Sequence, residues 1–130
     1  MNHAKRLQSL INDAKSKGAK VEFGGVCDVE QRFVSPTLLT NVDVQCNLMQ
    51  EEIFGPILPI VPYDSLEEAI EFVTSRPHPL ALYVFTDDKK VEKRVIAETT
   101  SGGVCVNDCL MHYGNKELPF GGVGASGMYV

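Results

Sequence analysis

Apolar residues near the N-terminus recur at the spacing of an amphipathic helix. Within "HAKRLQSLINDAKSKG" one helical stripe collects Ala4, Leu7, Leu10, Ile11 and Ala14. Gly18 is suited to end this helix. "KVEFGG" then alternates briefly and stops at two glycines, which predicts a short strand. "FVSPTLLTNV" has an extended pattern, in which Pro36 restricts part of the segment to an edge or an irregular position.

From residue 57 the pattern alternates between strands and helices. "ILPIVP" is a short apolar run, and Ser65 with Glu68 forms a capping box for the helix that follows. The apolar positions of that helix are Leu66, Ala69, Ile70 and Val73. Pro77 and Pro79 end it.

"LALYVF" is rich in β-forming residues and carries no charge, which predicts a strand covered on both faces. In "DDKKVEKRVIAETT" the aspartates stand at the positive end of a second helix, with Val91, Val95 and Ile96 facing inward. "GGVCVN" supplies a further strand. Strands and helices that alternate in this way predict an α/β fold, with a parallel sheet and right-handed crossover helices.

Length and charge narrow the class of protein. The chain has 130 residues, enough for one domain, and its net charge of -5 argues against nucleic acid as a partner. Its basic cluster, Lys89, Lys90, Lys93 and Arg94, has the spacing of a solvated helix face. We find no apolar run long enough for a membrane span and no signal peptide. The four cysteines form no CxxC pair, so we expect reduced thiols and a cytoplasmic protein.

Two further patterns give only weak evidence for a binding site, one rich in glycine and one that contains cysteine and histidine. "GVGASG" has the Gly-x-Gly-x-x-Gly spacing, yet only three residues follow Gly127, too few for the helix that a dinucleotide needs. Cys105, Cys109 and His112 have a spacing that zinc seldom uses, and a fourth ligand is missing, so we predict no metal site. His3 and His78 have no acid or nucleophile near them in sequence, and we expect both at the surface.

"MQEEIFGP" is the most unusual stretch. In an extended segment, neighbouring side chains point to opposite sides, so Glu51 and Glu52 do not share a face, whereas Glu52 and Phe54 do. A carboxylate accepts hydrogen bonds from a diol, and an aromatic ring packs on a flat heterocycle. The alternative is a solvated Glu52 beside a core Phe54, and residue types alone favour that alternative.

Several motifs in register resemble the aldehyde dehydrogenase superfamily. "MQEEIFGPILPIV" resembles its signature, and "SGGVCVND" with "LPFGGVGASGM" is similar to late catalytic-domain motifs of its class 3 branch, the fatty and aromatic aldehyde dehydrogenases. "GAKVEFGG", "RFVSPTLL" and "PLALYVFT" follow the order of that family. The resemblance implies that residues 1–130 form a later part of the catalytic domain. The abrupt ends of the pattern also suggest a segment of a larger protein.

The resemblance implies a chemistry and a set of roles. In the family a cysteine attacks the aldehyde, hydride passes to NAD or NADP, and a glutamate activates the water that hydrolyses the thioester. By position Glu52 binds the nicotinamide ribose, Phe54 packs at the nicotinamide end, and Asn107 and Tyr113 lie near the substrate entrance. The stretch from Pro119 to Gly127 forms a tight structural turn beside the active site.

The resemblance assigns no catalytic residue to this chain. The nucleophile and the general base precede "EEIFGP" by more residues than are present here, so we expect the chain alone to be inactive. We expect an aldehyde substrate and a homodimer for the full-length protein. The alternative function is a non-catalytic protein that pairs with full-length aldehyde dehydrogenase subunits. The choice between NAD and NADP stays open, as does the chain length of the aldehyde.

Overall fold

The structure is a computed structural model that describes residues 2–128, and the chain divides into two compact units, residues 1–62 and 63–130. The first unit contains helix α1 and five short strands, with one more helical turn before the last strand. The elements are α1 (His3–Ser16), β1 (Lys20–Phe23), β2 (Cys27–Asp28), β3 (Phe33–Val34), β4 (Thr37–Thr40), α2 (Asn47–Gln50) and β5 (Ile57–Pro59).

The core of the first unit forms under α1, as its stripe predicts. Asn2 caps the helix by accepting a hydrogen bond from the Ala4 amide, and Gly18 follows its end with a left-handed backbone. The stripe residues are buried together with members of β4, α2 and β5. The polar surroundings of Cys46 in the sequence predict a loop position for it, and this prediction was wrong: Cys46 lies in this core with no exposed surface, because the turn before α2 places it in the buried cluster.

The first unit contains an antiparallel pair, β2-β3, and a separate three-stranded sheet that is mixed. The order of this sheet is β1-β4-β5, with β1 antiparallel to β4 and β4 parallel to β5, where Thr37 pairs with Ile57. Pro36 occupies the break between β3 and β4, the irregular position that a residue without an amide proton favours. The sequence predicts parallel pairing, which β4 and β5 show, and the antiparallel pairing of β1 with β4 is a difference from that prediction.

The second unit contains the strand–helix–strand segment. Ser65 caps its first helix, and the Glu68 carboxylate accepts a hydrogen bond from the Asp64 amide at 2.9 Å. The two strands pair in parallel, with a helix between them in the chain, as the crossover pattern predicts. The elements are α3 (Leu66–Thr74), β6 (Ala81–Val84), α4 (Lys89–Glu98), β7 (Gly103–Val106) and α5 (Met111–Gly114), followed by a 3₁₀ turn (Gly124–Ser126).

Burial in the second unit is lower than the sequence predicts. Strand β6 was expected to be covered on both faces, but only Val84 is buried, and the flanking Leu80 and Phe85 are exposed. On α4, Ile96 is exposed whereas Val91 and Val95 are half-buried. Successive residues of an α-helix are rotated by about 100° around its axis, so the side chain of residue 96 points away from the face that carries Val91 and Val95. Among residues 2–128, no helix has both the length and the apolar character required to cross a membrane.

Candidate functional site

The segment between α2 and β5 is attached to the first turn of α1 through its backbone. Arg6 Nη1 donates to the Glu52 carbonyl at 3.2 Å, and Arg6 Nη2 donates to the Ile53 carbonyl. His3 Nε2 lies 2.6 Å from the Phe54 carbonyl oxygen, and because a carbonyl only accepts, this nitrogen carries the proton. Two side chains, three positions apart on one helix, therefore hold three successive carbonyls.

The two neighbouring carboxylates have different environments. The Glu51 carboxylate pairs with Arg6 Nη1 at 3.2 Å and thereby helps to orient the guanidinium group. The Glu52 side chain is exposed, and within the described part of the chain its carboxylate has no hydrogen bond or ion pair. Glu51 is thus engaged in structure, and Glu52 is free to accept hydrogen bonds from a ligand.

Phe54 is exposed on a left-handed backbone. Its φ is 47° and its side chain is 73% exposed, so the alternative of a core phenylalanine is wrong. The positive φ also ends the simple alternation of an extended segment at this residue. Next to it, a Cβ on Gly55 would lie 2.6 Å from Leu7 Cδ1, so glycine lets the loop rest directly on α1.

A cavity of about 470 Å³ opens beside Phe54. Its wall combines the first turn of α1 with the loop, and Arg32 and His3 contribute polar groups to it. Arg32 also has a left-handed backbone, with φ of 55°. The exposed ring therefore borders a concave surface that can accept a flat or partly polar group.

The predicted substrate-entrance residues lie after β7 and make separate contacts. Asn107 Oδ1 accepts from the Thr86 amide at 2.8 Å, and Asn107 Nδ2 donates to the Thr86 carbonyl at 3.0 Å. Both polar atoms of this amide are thus engaged in joining the loops that follow β6 and β7. The Tyr113 ring is 68% exposed and packs edge-on against Phe120, with centroids 5.1 Å apart.

The cysteine and histidine residues near β7 form a pair. Cys105 Sγ lies 3.3 Å from His112 Nδ1, and the imidazole ring sits near the rings of Tyr83 and Phe120. Cys109 is exposed, and across residues 2–128 no three metal-ligating side chains come close enough to hold an ion. In the first unit, burial raises the pKa of the Cys27 thiol, which disfavours its nucleophilic thiolate form.

The glycine-rich pattern near the C-terminus closes a tight turn. A Cβ on Gly122 would lie 2.1 Å from the Ser126 carbonyl oxygen, and one on Gly127 would lie 2.6 Å from the Gly122 carbonyl oxygen. These glycines permit close backbone contact within the turn. Within this turn, residues Gly124–Ser126 form a single 3₁₀ turn.

Sequence reasoning missed the roles of His3 and Arg6. His3 was expected only at the surface, where it does lie, but its contact with Phe54 joins residues 51 positions apart. The available signal was the placement of two donors at i and i+3, beside the apolar stripe of α1.

The chain is similar to known proteins of one family. The profile of the aldehyde dehydrogenase family matches residues 1–129. Mouse aldehyde dehydrogenase family 3 member A2 is 56% identical over 128 residues, which cover 98% of this chain and 25% of the mouse protein. The bovine "aldehyde dehydrogenase, dimeric NADP-preferring" is 52% identical and covers 97% of this chain and 51% of its own length.

A solved structure has the same fold. The substrate-bound state of Staphylococcus aureus AldH superimposes with a TM-score of 0.89 at 53% identity, covering 97% of this chain and 27% of that chain. The chain thus spans about a quarter of the mouse relative and of this structure. A family profile that matches nearly every residue, together with this likeness in structure, shows that the chain belongs to the aldehyde dehydrogenase family.

Proposed function

We propose that this chain is a segment of an NAD(P)-dependent aldehyde dehydrogenase that oxidises aldehydes to carboxylic acids, with the thioester formed on a cysteine outside residues 1–130. The observation that carries the proposal is the loop beside α1, where the backbone is held by α1, the Phe54 ring is exposed and the Glu52 carboxylate has no partner among residues 2–128. In this proposal the segment forms a later part of the catalytic domain.

Glu52 and Phe54 suit the nicotinamide end of the coenzyme. A carboxylate accepts hydrogen bonds from both hydroxyls of a ribose, and an aromatic ring packs on the nicotinamide heterocycle. NAD and NADP share this half of the molecule, so Glu52 accepts either coenzyme. The name of the bovine relative states a preference for NADP in that protein.

Asn107 and Tyr113 are proposed to border the substrate entrance. Both follow β7 at its carboxyl end, where ligands of parallel sheets commonly bind. Asn107 acts through structure, since its amide fixes the loop to Thr86. Tyr113 has exposed apolar neighbours, Leu110 and Met111, which suit the hydrocarbon part of an aldehyde.

The role of Glu52 can be tested in a chimera, in which this chain replaces the matching segment of the mouse relative. The chimera is expected to oxidise an aldehyde with NAD or NADP, and the purified 130-residue chain is expected to show no turnover, because it contributes no nucleophile. In the chimera, Glu52→Gln should raise the coenzyme KM about tenfold and leave the aldehyde KM unchanged, because the amide gives up the charge that strengthens hydrogen bonds to hydroxyls.

The matched control is Glu30→Gln, an exposed glutamate on a turn of the same unit. It should leave both KM values unchanged. An unaltered coenzyme KM in E52Q, or steady turnover by the purified chain, would contradict the proposal.

A second candidate function is a non-catalytic partner of full-length aldehyde dehydrogenase subunits. It is favoured by the exposed apolar side chains Leu110, Met111, Leu118 and Phe120, which are the kind of surface that other subunits cover. The bovine relative is described as dimeric, and we propose a homodimer for the full-length protein here as well. Retention of a full-length subunit by the immobilised chain would support this function, and its free passage would count against it.

We also propose a cytoplasmic location. The four cysteines are all free, and free thiols persist in reducing compartments. Fractionation of cells that express the tagged chain tests this placement, and recovery in a secreted fraction would contradict it.

A further inference from the structure

We infer that His3 and Arg6 are positioning residues for the coenzyme, which act on the backbone of residues 52–54 and not by contact with the coenzyme. This inference rests on the proposed function of Glu52 and Phe54. It concerns three carbonyl groups that side chains of α1 bind and two side chains of the same loop, those of Glu52 and Phe54, that remain exposed.

The guanidinium group of Arg6 is the part of this arrangement that is hardest to replace. Its two terminal nitrogens donate to different carbonyls, those of Glu52 and Ile53, and Nη1 also contacts the Glu51 carboxylate. A planar fork reaches such a set of acceptors with one fixed geometry, whereas an ammonium group is a single charged point. Arg6 thereby fixes the orientation of two consecutive peptide groups, those on either side of Ile53.

His3 holds the next peptide group, where the backbone is left-handed. Left-handed backbone is unfavourable for a bulky aromatic residue and persists where the surroundings determine it. At Phe54 these surroundings are the hydrogen bond from His3 to the Phe54 carbonyl and the close packing of Gly55 against the Leu7 side chain. The bond from His3 therefore helps to keep the Phe54 ring in its exposed orientation.

The consequence concerns coenzyme affinity. When a loop is already ordered, its ligand does not have to order it on binding, and affinity is higher. Without His3 or Arg6 the Glu52 and Phe54 side chains are still present, but the coenzyme must select their productive orientation from several. We therefore expect a specific rise in the coenzyme KM.

The kinetic test uses His3→Ala and Arg6→Met in the chimera described above. Each variant should raise the coenzyme KM about tenfold and leave the aldehyde KM within about twofold, as expected for the loss of hydrogen bonds at one site. His3→Gln should restore most of the affinity, because its amide nitrogen can donate in place of Nε2. Arg6→Lys should restore only part of it. Lys5→Met, at an exposed position of the same helix turn, is the control and should change nothing.

A second measurement uses the 130-residue chain itself. Amide hydrogen exchange of Ile57, whose amide donates to the Gly55 carbonyl at 2.8 Å, should accelerate in His3→Ala and return toward the parent rate in His3→Gln, with the exchange of β1 unchanged. This measurement needs no turnover and separates a local effect from general unfolding.

The outcomes separate the inference from the function on which it rests. An unchanged coenzyme KM in E52Q overturns the proposed function. A raised KM in E52Q, with unchanged KM in both H3A and R6M, overturns only the positioning role. Lower yield or thermal stability of H3A and R6M with a normal coenzyme KM also overturns it, since that is the pattern of a purely structural contact.

Discussion

Single glycines in this chain differ sharply in the space around them. A Cβ on Gly102 would lie 2.1 Å from the Gly121 carbonyl oxygen and 2.7 Å from the Leu80 carbonyl oxygen. Around Gly114, by contrast, nothing lies within 4 Å of the same added atom. A side chain at position 102 would meet backbone atoms, which cannot move easily, whereas a side chain at position 114 would enter open space.

This contrast gives a prediction for alanine substitutions. Gly102→Ala should lower the free energy of unfolding by about 2 kcal/mol or more, because the added methyl forces two backbone segments apart. Gly114→Ala should change it by less than about 0.5 kcal/mol. Urea denaturation followed by circular dichroism measures both, and equal midpoints for the two variants would show that the contact at Gly102 relaxes freely.

Residues 52–54 illustrate what could be predicted from the sequence at the scale of single residues. The resemblance of the "EEIFGP" motif to a known family made Glu52 and Phe54 candidates for the coenzyme site, whereas residue types alone favoured a solvated Glu52 and a core Phe54. The left-handed backbone of Phe54 was not predictable, since it depends on bonds to α1 that span 51 positions for His3. Non-local hydrogen bonds leave no periodic signal in a sequence.

Helices α3 and α4 are joined by an arginine between two carboxylates. Arg94 Nε contacts Glu98 at 2.8 Å within α4, and Arg94 Nη1 contacts Glu67 of α3 at 2.7 Å. The hydrogen bond from Arg94 lowers the pKa of both carboxyl groups below their ordinary value of 4.5. The bonds to Glu98 and then Glu67 raise the pKa of the arginine in turn.

The sign of the pH dependence follows from these directions. A carboxyl group whose pKa is lower in the folded state contributes stability above its unfolded pKa, here near 4.5, and loses it as the pH falls through the folded value. Arg94→Met should raise the pKa of Glu67 and Glu98 toward 4.5 in an NMR titration of their side-chain carbonyl carbons. The matched control, Lys93→Met on the same helix, should leave both unchanged. Equal titration curves in R94M and the parent would contradict the role of Arg94.

Elements were predictable where one face is buried and where a cap is local. The apolar stripe of α1, its end at Gly18 and the Ser65 cap of α3 each involve residues close together in the chain, so their signals are visible in the sequence. The burial of Ile96 and of strand β6 was less predictable. Apolar character alone does not indicate whether a neighbouring element covers a residue.

The molecule as a whole exposes apolar side chains near its C-terminal end. Tyr113, Leu118 and Phe120 are each at least half exposed. Contiguous apolar surface of this kind commonly marks a site of association. The exposed side chains therefore give a prediction about the behaviour of the 130-residue chain in solution.

We expect the 130-residue chain to self-associate with increasing concentration. Sedimentation velocity should show heavier species at higher concentration, and these should persist in 0.5 M salt (about a 4 Å screening length) because apolar contacts are not screened. Leu118→Asp should shift the distribution toward monomer, and the neighbouring Glu117→Gln should not. A parent chain that stays monomeric at every concentration would contradict this expectation.

The sequence by itself determined the family, the α/β class and the local elements, because motifs, periodic stripes and caps act over short distances along the chain. It also singled out Glu52 and Phe54 as candidate coenzyme contacts. Only the tertiary structure decided that β1 pairs antiparallel with β4, that Cys46 is buried, and that Arg6 and His3 bind the backbone carbonyls of residues 52–54. Each of these depends on residues far apart in sequence, whose contact is fixed by packing and not by local pattern.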